Sequence, residues 1–233
     1  MSPVTDYEIA EDDPRAAWPI FTVFEASRYL RVPNSTLRTW IRPEHGDPLV
    51  SSVTGKPYLP RLTFLGFAEA FVIASARRAG VHPHRIREGV DRVRDEIGVE
   101  YALATRRLYH DKTELLIAEE GGTDIEDPAD LEVARNRQIQ MTKMVKTDLK
   151  NISYGDDGIA ASLQLPAFEI ATVIVDPLEA FGAPIVSRTG TRIRDIISLA
   201  HAGEDLRDIA YDFDLSVEEV RDVISAQEKP SAS

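Results

Sequence analysis

Residues 22–42, TVFEASRYLRVPNSTLRTWIR, decide how the rest of the chain is read. Thr22 and Glu25 stand at capping-box spacing, so a helix is expected from Val23. Val23, Ala26, Tyr29 and Leu30 fall on one face of it. Pro33 pushes Val32 out of helical geometry, and Asn34 or Ser35 is placed to cap a second helix over residues 35–41. That helix buries Leu37 and either Trp40 or Ile41, and leaves Ser35, Thr36, Arg38, Thr39 and Arg42 outward. Small hydroxyls and guanidinium groups at the front of the second of two short helices make a helix-turn-helix pattern. Such groups reach phosphates and base edges once the helix enters a major groove. An ordinary helical hairpin with a solvated polar face fits the same residues.

The downstream residues favour the first reading. Residues 49–58 read as two short strands around a Thr54-Gly55 turn, which is a wing with Lys56 near its tip and Arg61 behind it. Thr63 is expected to cap an apolar helix that includes Phe64, Leu65, Phe67, Phe71, Val72 and Ile73 and stops at Gly80. Another helix runs from Pro83 to about residue 97. Helix-turn-helix, wing and two helices, over roughly residues 20–98, resemble the winged DNA-binding domain of MerR-like regulators. The resemblance implies operator DNA as a partner. Ser35, Thr36, Arg38, Thr39 and Arg42 then read or position, with Lys56 and Arg61 on the backbone. Ile86, Val90, Val93 and Ile97 form one stripe on the last helix. In that family such a helix pairs two subunits, so the stripe is expected to form a homodimer; packing within its own chain is the alternative.

The charge distribution agrees. The 233-residue chain carries a net charge of −12, which by itself argues against nucleic acid. Residues 1–13 hold five acids and no Lys or Arg. Residues 14–110 hold fifteen basic and nine acidic residues, and residues 111–233 hold twelve basic and twenty-five acidic ones. The cationic section coincides with the winged region, as phosphate attraction requires. No cysteine is present, which excludes disulfides and thiolate zinc sites. No apolar run is long enough for a membrane span, and the start is acidic rather than signal-like, so a cytoplasmic protein is expected.

Residues 1–17 read as a flexible acidic arm, and the apolar Trp18-Pro19-Ile20-Phe21 run as a segment that packs onto the winged domain 18–98. Residues 99–165 are a mixed middle region. Arg107-Leu108-Tyr109 and residues 114–118 suggest strands around a turn at His110-Asp111-Lys112; residues 121–130 read as an acidic loop. A helix follows to about Leu149, then short strands at 159–165 and 172–175. In residues 166–228, Thr191 is placed to cap a helix bearing Ile193, Ile196, Ile197 and Leu199. A second helix carries Leu206 and Ile209, and Ser216 with Glu219 opens a third. Residues 229–233 are a tail. The fold class expected is mainly α with small β elements: an N-terminal winged helix-turn-helix, a mixed middle region and a C-terminal trihelical, helix-turn-helix-like domain.

Gly182-Ala183-Pro184-Ile185-Val186, Gly190-Thr191-Arg192-Ile193, Ala202-Gly203-Glu204 and Asp214-Leu215-Ser216 with Glu218-Glu219-Val220 look like a small domain of uncharacterised function. That domain is common in bacterial antitoxins encoded beside toxins of PIN-like ribonuclease fold. Joined to a MerR-like front half, it resembles a VapB-type antitoxin. In many short relatives Pro follows the Gly-Thr-Arg-Ile run; here Arg194 does. The resemblance implies neutralisation of a PIN-like ribonuclease and repression of the chain's own operator. Arg188, Arg192 and Arg194 are candidate cations toward the toxin's acidic site, with helix capping and solvation as the plainer reading. The third helix carries three acids ahead of Arg221 or beside it, so it suits protein rather than DNA.

Catalytic chemistry is not expected, and neither is a cofactor or metal. No HExxH, P-loop or dinucleotide fingerprint is present. His82 and His84 flank Pro83 as loop residues, and Asp156-Asp157-Gly158 lacks the later ligands of a calcium loop. Asp124, Glu126, Asp127 and Asp130 imitate a nuclease cluster but sit in one solvated loop. The rival readings are a stand-alone MerR-like regulator answering a small molecule through its middle region, and a nuclease acting through that loop.

Overall fold

Thr22 opens the element on which the front half is built. In the computed structural model, which describes residues 9–228 apart from 45, 57 and 118–127, both halves of its capping box form. The Thr22 hydroxyl accepts from Glu25 N at 3.2 Å, and Thr22 N donates to the Glu25 carboxylate at 2.9 Å. Ahead of it lie α1 (Pro14–Ala17) and β1 (Pro19–Phe21). Within the arm expected over residues 1–17, the segment from Asp13 on is therefore built into the fold. Asp13 caps α1, Arg15 bridges Asp13 and Asp157, and α1 packs on the later helix α4, Phe64–Arg78. Residues 1–8 lie outside the described residues.

α2 (Val23–Leu30) closes on Arg31, held left-handed at φ +54°, and α3 (Asn34–Ile41) follows after Val32 and Pro33. Leu37, Trp40 and Ile41 are all buried. The expected side-chain cap is absent. Pro33 itself takes the cap position and its carbonyl accepts from Leu37 N at 3.1 Å, so Asn34 and Ser35 are already inside the helix and out of capping geometry.

Among the described residues, the two strands expected over residues 49–58 are not formed. Between residues 49 and 61 the described residues make no ladder; Val53 N donates to Arg61 O at 2.9 Å and Leu59 N to Lys56 O at 3.0 Å. Pro48 and Pro60 have no N–H to extend a ladder. The chain beyond them, β2 (Leu62–Thr63), pairs instead with β1, Pro19 opposite Thr63 and Phe21 opposite Leu62. α4 then starts on its Thr63 cap. Every residue from Phe64 to Ala76 is buried, so α4 is the axis of the fold rather than an amphipathic surface helix.

α5 (Pro83–Ile97) ends on Gly98 at φ +73°. Its stripe of Ile86, Val90, Val93 and Ile97 is buried within its own chain, mainly by α6 (Thr113–Ile117), so the stripe does not face a second subunit. A single-turn 3₁₀ segment follows at Ala102–Ala104, and the strands expected from residue 107 onward are replaced by helical structure, a π-turn at Leu108–Lys112 and α6; residue 118, the last of the expected second strand, lies outside the described residues. The Thr113 hydroxyl donates to Leu108 O at 2.9 Å, and the buried Thr113, Leu116 and Ile117 keep helical spacing against α5. The expected acidic loop falls largely on residues outside the described set, although α7 (Pro128–Leu149) starts before its end. α7 docks by its last turns, where Val145 and Leu149 are buried, and Arg78 on α4 ion-pairs with its Asp148 at 2.7 Å.

An antiparallel meander follows: β3 (Ile152–Tyr154), β4 (Ala160–Gln164), β5 (Val173–Val175), β6 (Ile185–Val186) and β7 (Thr191–Arg192), in that order across the sheet. Leu163 on β4 lies opposite Val175 on β5, so this sheet crosses the division anticipated at residues 165/166. The last three helices, α8 (Ile193–His201), α9 (Leu206–Asp212) and α10 (Val217–Glu228), pack on one another, with α8 against β7. Thr191 does not cap α8. Its backbone belongs to β7, opposite Val186, and Arg192 takes the cap position without a side-chain bond. The Ser216–Glu219 capping box is complete, with Ser216 N on the Glu219 carboxylate at 2.7 Å and Glu219 N on the Ser216 hydroxyl at 3.1 Å. One apolar core runs without a break from Phe21 to Val223.

Candidate nucleic-acid interface

The amino end of α3 lacks a side-chain cap. Because Pro33 offers no side-chain cap, the first-turn N–H groups keep the positive end of the helix dipole unneutralised. Ser35 is exposed at this end. The Thr36 hydroxyl accepts from Arg77 Nη1 at 3.0 Å, which leaves its own proton to donate and places a guanidinium beside the helix start. The Thr39 hydroxyl donates to Ser35 O at 3.0 Å, so outward this residue offers its methyl group and lone pairs.

Further along the same face, Arg38 and Arg42 are exposed and make no ion pair among the described residues. They line a cavity of about 510 Å³ together with Thr39, Arg61 and Arg87, floored by Val23 and Ile41, with Glu44 at its edge. Four guanidinium groups and one carboxylate converge on this concavity, which focuses positive potential where a phosphate backbone would lie. Arg61 is steered by its own loop, with Nε on Val53 O at 3.2 Å, and Arg87 by Asp47 O at 2.8 Å. Lys56 is exposed on the loop, its ammonium 5.9 Å from the Tyr58 ring centre.

The sequence singled out Ser35, Thr36, Arg38, Thr39, Arg42 and Arg61, and the fold brings these onto α3 and its rim. Lys56 stays on the loop, outside the cavity lining. Arg77 and Arg87 were missed because at the end of α4 and on α5 they read as solvated helix cations. So was the clamp on the loop's base. Glu69, fully buried on α4, accepts from Ser51 N at 2.9 Å. Arg94 holds Pro48 O and Leu49 O at 2.8 and 3.0 Å. Arg94 stands 4.0 Å from the free oxygen of Glu69, within Coulombic reach but too far for a hydrogen bond. Burial therefore dominates and pushes the Glu69 carboxyl up to about 7, against the opposing pull of Ser51 N–H and Arg94. An acid inside an otherwise apolar helical run was the available signal.

In the rear half, Arg188 is engaged internally. It donates to the Asp214 backbone carbonyl at 2.6 Å, and its guanidinium reaches the carboxylates of Asp214 at 3.1 Å and Glu219 at 3.2 Å. Glu219 is held below the usual carboxylate range, first by Ser216 N–H and also by Arg188. Arg192 is half-buried in β7, and Arg194 is exposed beside Asp195 at 3.7 Å. A tether joins the halves. Asp222, buried on α10, accepts from Ile170 N at 2.7 Å and Ala171 N at 2.9 Å, and Arg31 in the turn between α2 and α3 donates to Ala167 O at 2.6 Å. Among the described residues, no three His, Asp or Glu side chains are grouped to hold a metal ion, and no helix is long and apolar enough to cross a membrane.

Residues 19–90 match the family described as "Putative DNA-binding HTH domain", and residues 173–225 match one described as "Protein of unknown function (DUF433)". Over 226 residues the chain is 34% identical to "Putative antitoxin VapB45" of Mycobacterium tuberculosis strain H37Rv, covering 89% of this chain and 93% of the relative. The fold is similar to the crystal structure of Rv2018 from Mycobacterium tuberculosis, with a TM-score of 0.72 and 28% identity over 90% of this chain and 99% of that one.

Proposed function

The chain belongs to the VapB-type antitoxin family, and on that premise we propose that it is both autorepressor and toxin neutraliser. Its front half binds its own operator as a homodimer, and its rear half holds a cognate PIN-like ribonuclease. The DNA half of this reading rests on one observation: an uncapped helix start on α3, with Arg38, Arg42, Arg61, Arg77 and Arg87 gathered about that helix. Arg38 and Arg42 face the bases. Ser35, Thr36 and Thr39 position the helix, and Lys56, Arg61 and Arg77 contact the backbone. Paired half-sites call for two copies of α3. With the α5 stripe covered, the two-fold contact is built elsewhere.

The test is titration of the purified protein with its own promoter fragment against a shuffled duplex of equal length. Tighter binding to the promoter is expected, weakening steeply with salt. Arg38→Ala or Arg42→Ala should cost about 1–3 kcal/mol if that residue reaches a base. Equal affinity for the two duplexes overturns the DNA half of the reading.

For the toxin half, the acidic surface of residues 111–233 suits a protein partner. Arg192 and Arg194 are the toxin-facing cations, while Arg188 holds Asp214 and α10 in place. Removing everything after Leu165 would break the β4–β5 pairing, so it tests folding rather than neutralisation. Point variants are the appropriate probes. The family and this geometry support a regulatory, non-catalytic protein.

A further inference from the structure

Leu178 and Phe181 are 77% and 80% exposed, although both sit in a six-residue turn, 177–182, that is otherwise tightly built. Leu178 N donates to the Asp176 carboxylate at 2.8 Å, Gly182 N to Glu179 O at 2.9 Å, and Ala183 N to Ala180 O at 3.2 Å. Three successive residues are left-handed: Ala180 at φ +48°, Phe181 at φ +57° and Gly182 at φ +75°. Gly182 is pressed onto Ile20 of the front half, where a Cβ would come within 2.7 Å of Cγ2. Glycine would satisfy the left-handed turn at position 181 without strain, whereas a phenylalanine there is disfavoured. Its ring packs on almost nothing in return. A strained backbone that displays an apolar ring is explained by what the ring meets outside the chain.

The surroundings say what that is. Pro177 and Leu178 border a groove of about 510 Å³ whose other walls include Asp156, Asp157 and Asp176, and Glu179 lies exposed in the turn itself. Arg15, the cation lining this groove, is already bound to Asp13 and Asp157. The rim is therefore anionic. It repels nucleic acid and acidic lipid, and it complements a protein that offers an apolar pocket edged by Lys and Arg.

We propose that the 177–182 turn is the preformed anchor by which this chain docks a protein partner, with Phe181 and Leu178 entering an apolar pocket and Asp156, Asp176 and Glu179 meeting its cationic rim. Resting on the reading above, this makes the turn the toxin-docking surface. Rigidity before binding lowers the ordering cost, and an aromatic anchor at the centre of an interface carries a large share of its affinity.

The probe is the purified product of the adjoining reading frame, titrated against the full chain and three variants. Phe181→Gly removes the ring and relieves the left-handed strain, so its melting temperature should equal or exceed that of the parent. Its affinity for the probe should nonetheless fall by about tenfold or more, with operator binding unchanged. Leu178→Ser should also weaken the complex, and Glu179→Lys should weaken it most at low salt. If the parent does not bind the probe, the toxin reading fails and the anchor with it. If the parent binds and Phe181→Gly binds equally well, the anchor alone is overturned. Loss of self-association in Phe181→Gly with probe binding intact likewise overturns it, in favour of docking between copies of this chain.

Discussion

Glu69 shows how one side chain ties stability to the position of the loop that follows α3. It holds Ser51 N–H from inside the core and carries an oxygen with no hydrogen-bond partner. Its carboxyl is raised from 4.5 to about 7, chiefly by burial. A folded state that keeps this proton longer than the unfolded chain is favoured below pH 4.5 and loses that advantage as pH rises through about 7. The shift corresponds to about 3 kcal/mol. Glu69→Gln should flatten the stability curve over that interval, measured by urea unfolding at several pH values. An unchanged slope would mean Glu69 titrates normally. The same scale separates two kinds of arginine: Arg38 and Arg42 stand free for a ligand, while Arg188 is held by Asp214 and Glu219.

Among the elements, α5 and α6 illustrate why an apolar stripe does not declare its partner. The spacing of Ile86, Val90, Val93 and Ile97 is equally suited to a neighbour from the same chain or another, and here α6 covers it. Gly89 allows the approach. A Cβ there would fall 2.4 Å from Leu116 O and 2.9 Å from its carbonyl carbon, both backbone atoms that yield only if α6 moves. Gly89→Ala should therefore destabilise by about 1–3 kcal/mol, read by chemical denaturation, despite alanine's better helix propensity. A neutral or stabilising result would show that α6 is loosely seated. The loop over residues 49–61 teaches the complementary lesson. A Thr-Gly turn between apolar residues reads as a hairpin, but the pairing partner of β2 comes from β1, about forty residues earlier in the chain.

Across the whole molecule, the front and rear halves share one core, and the 166–171 segment is held from both sides. Asp222 receives Ile170 and Ala171 from below, and Arg31 reaches Ala167 from the helix-turn-helix turn. Asp222→Ala would leave two buried or half-buried N–H groups unpaired, a loss of about 3 kcal/mol. It should lower the unfolding midpoint of both halves together, in a single transition seen alike by near- and far-ultraviolet circular dichroism. Separate transitions for the two halves would show that the continuous core does not couple them.

What the sequence determined by itself was whatever rests on contacts a few residues apart. The Thr22–Glu25 and Ser216–Glu219 boxes, the Thr63 cap, the stop at Gly80, the α5 span and the outward face of α3 all depend on local spacing and backbone chemistry. The charge division that points the front half at nucleic acid is likewise a property of composition along the chain. Tertiary structure alone decided the rest. Residues 107–117 are helical because Thr113, Leu116 and Ile117 find α5, and β5 extends the sheet begun by β3 and β4 because Val175 meets Leu163. Arg77 on α4 and Arg87 on α5 reach the α3 surface only through the tertiary fold, Arg77 at Thr36 and Arg87 in the cavity lining. Short apolar runs carry no record of which distant surface will bury them, and long-range packing supplies that choice.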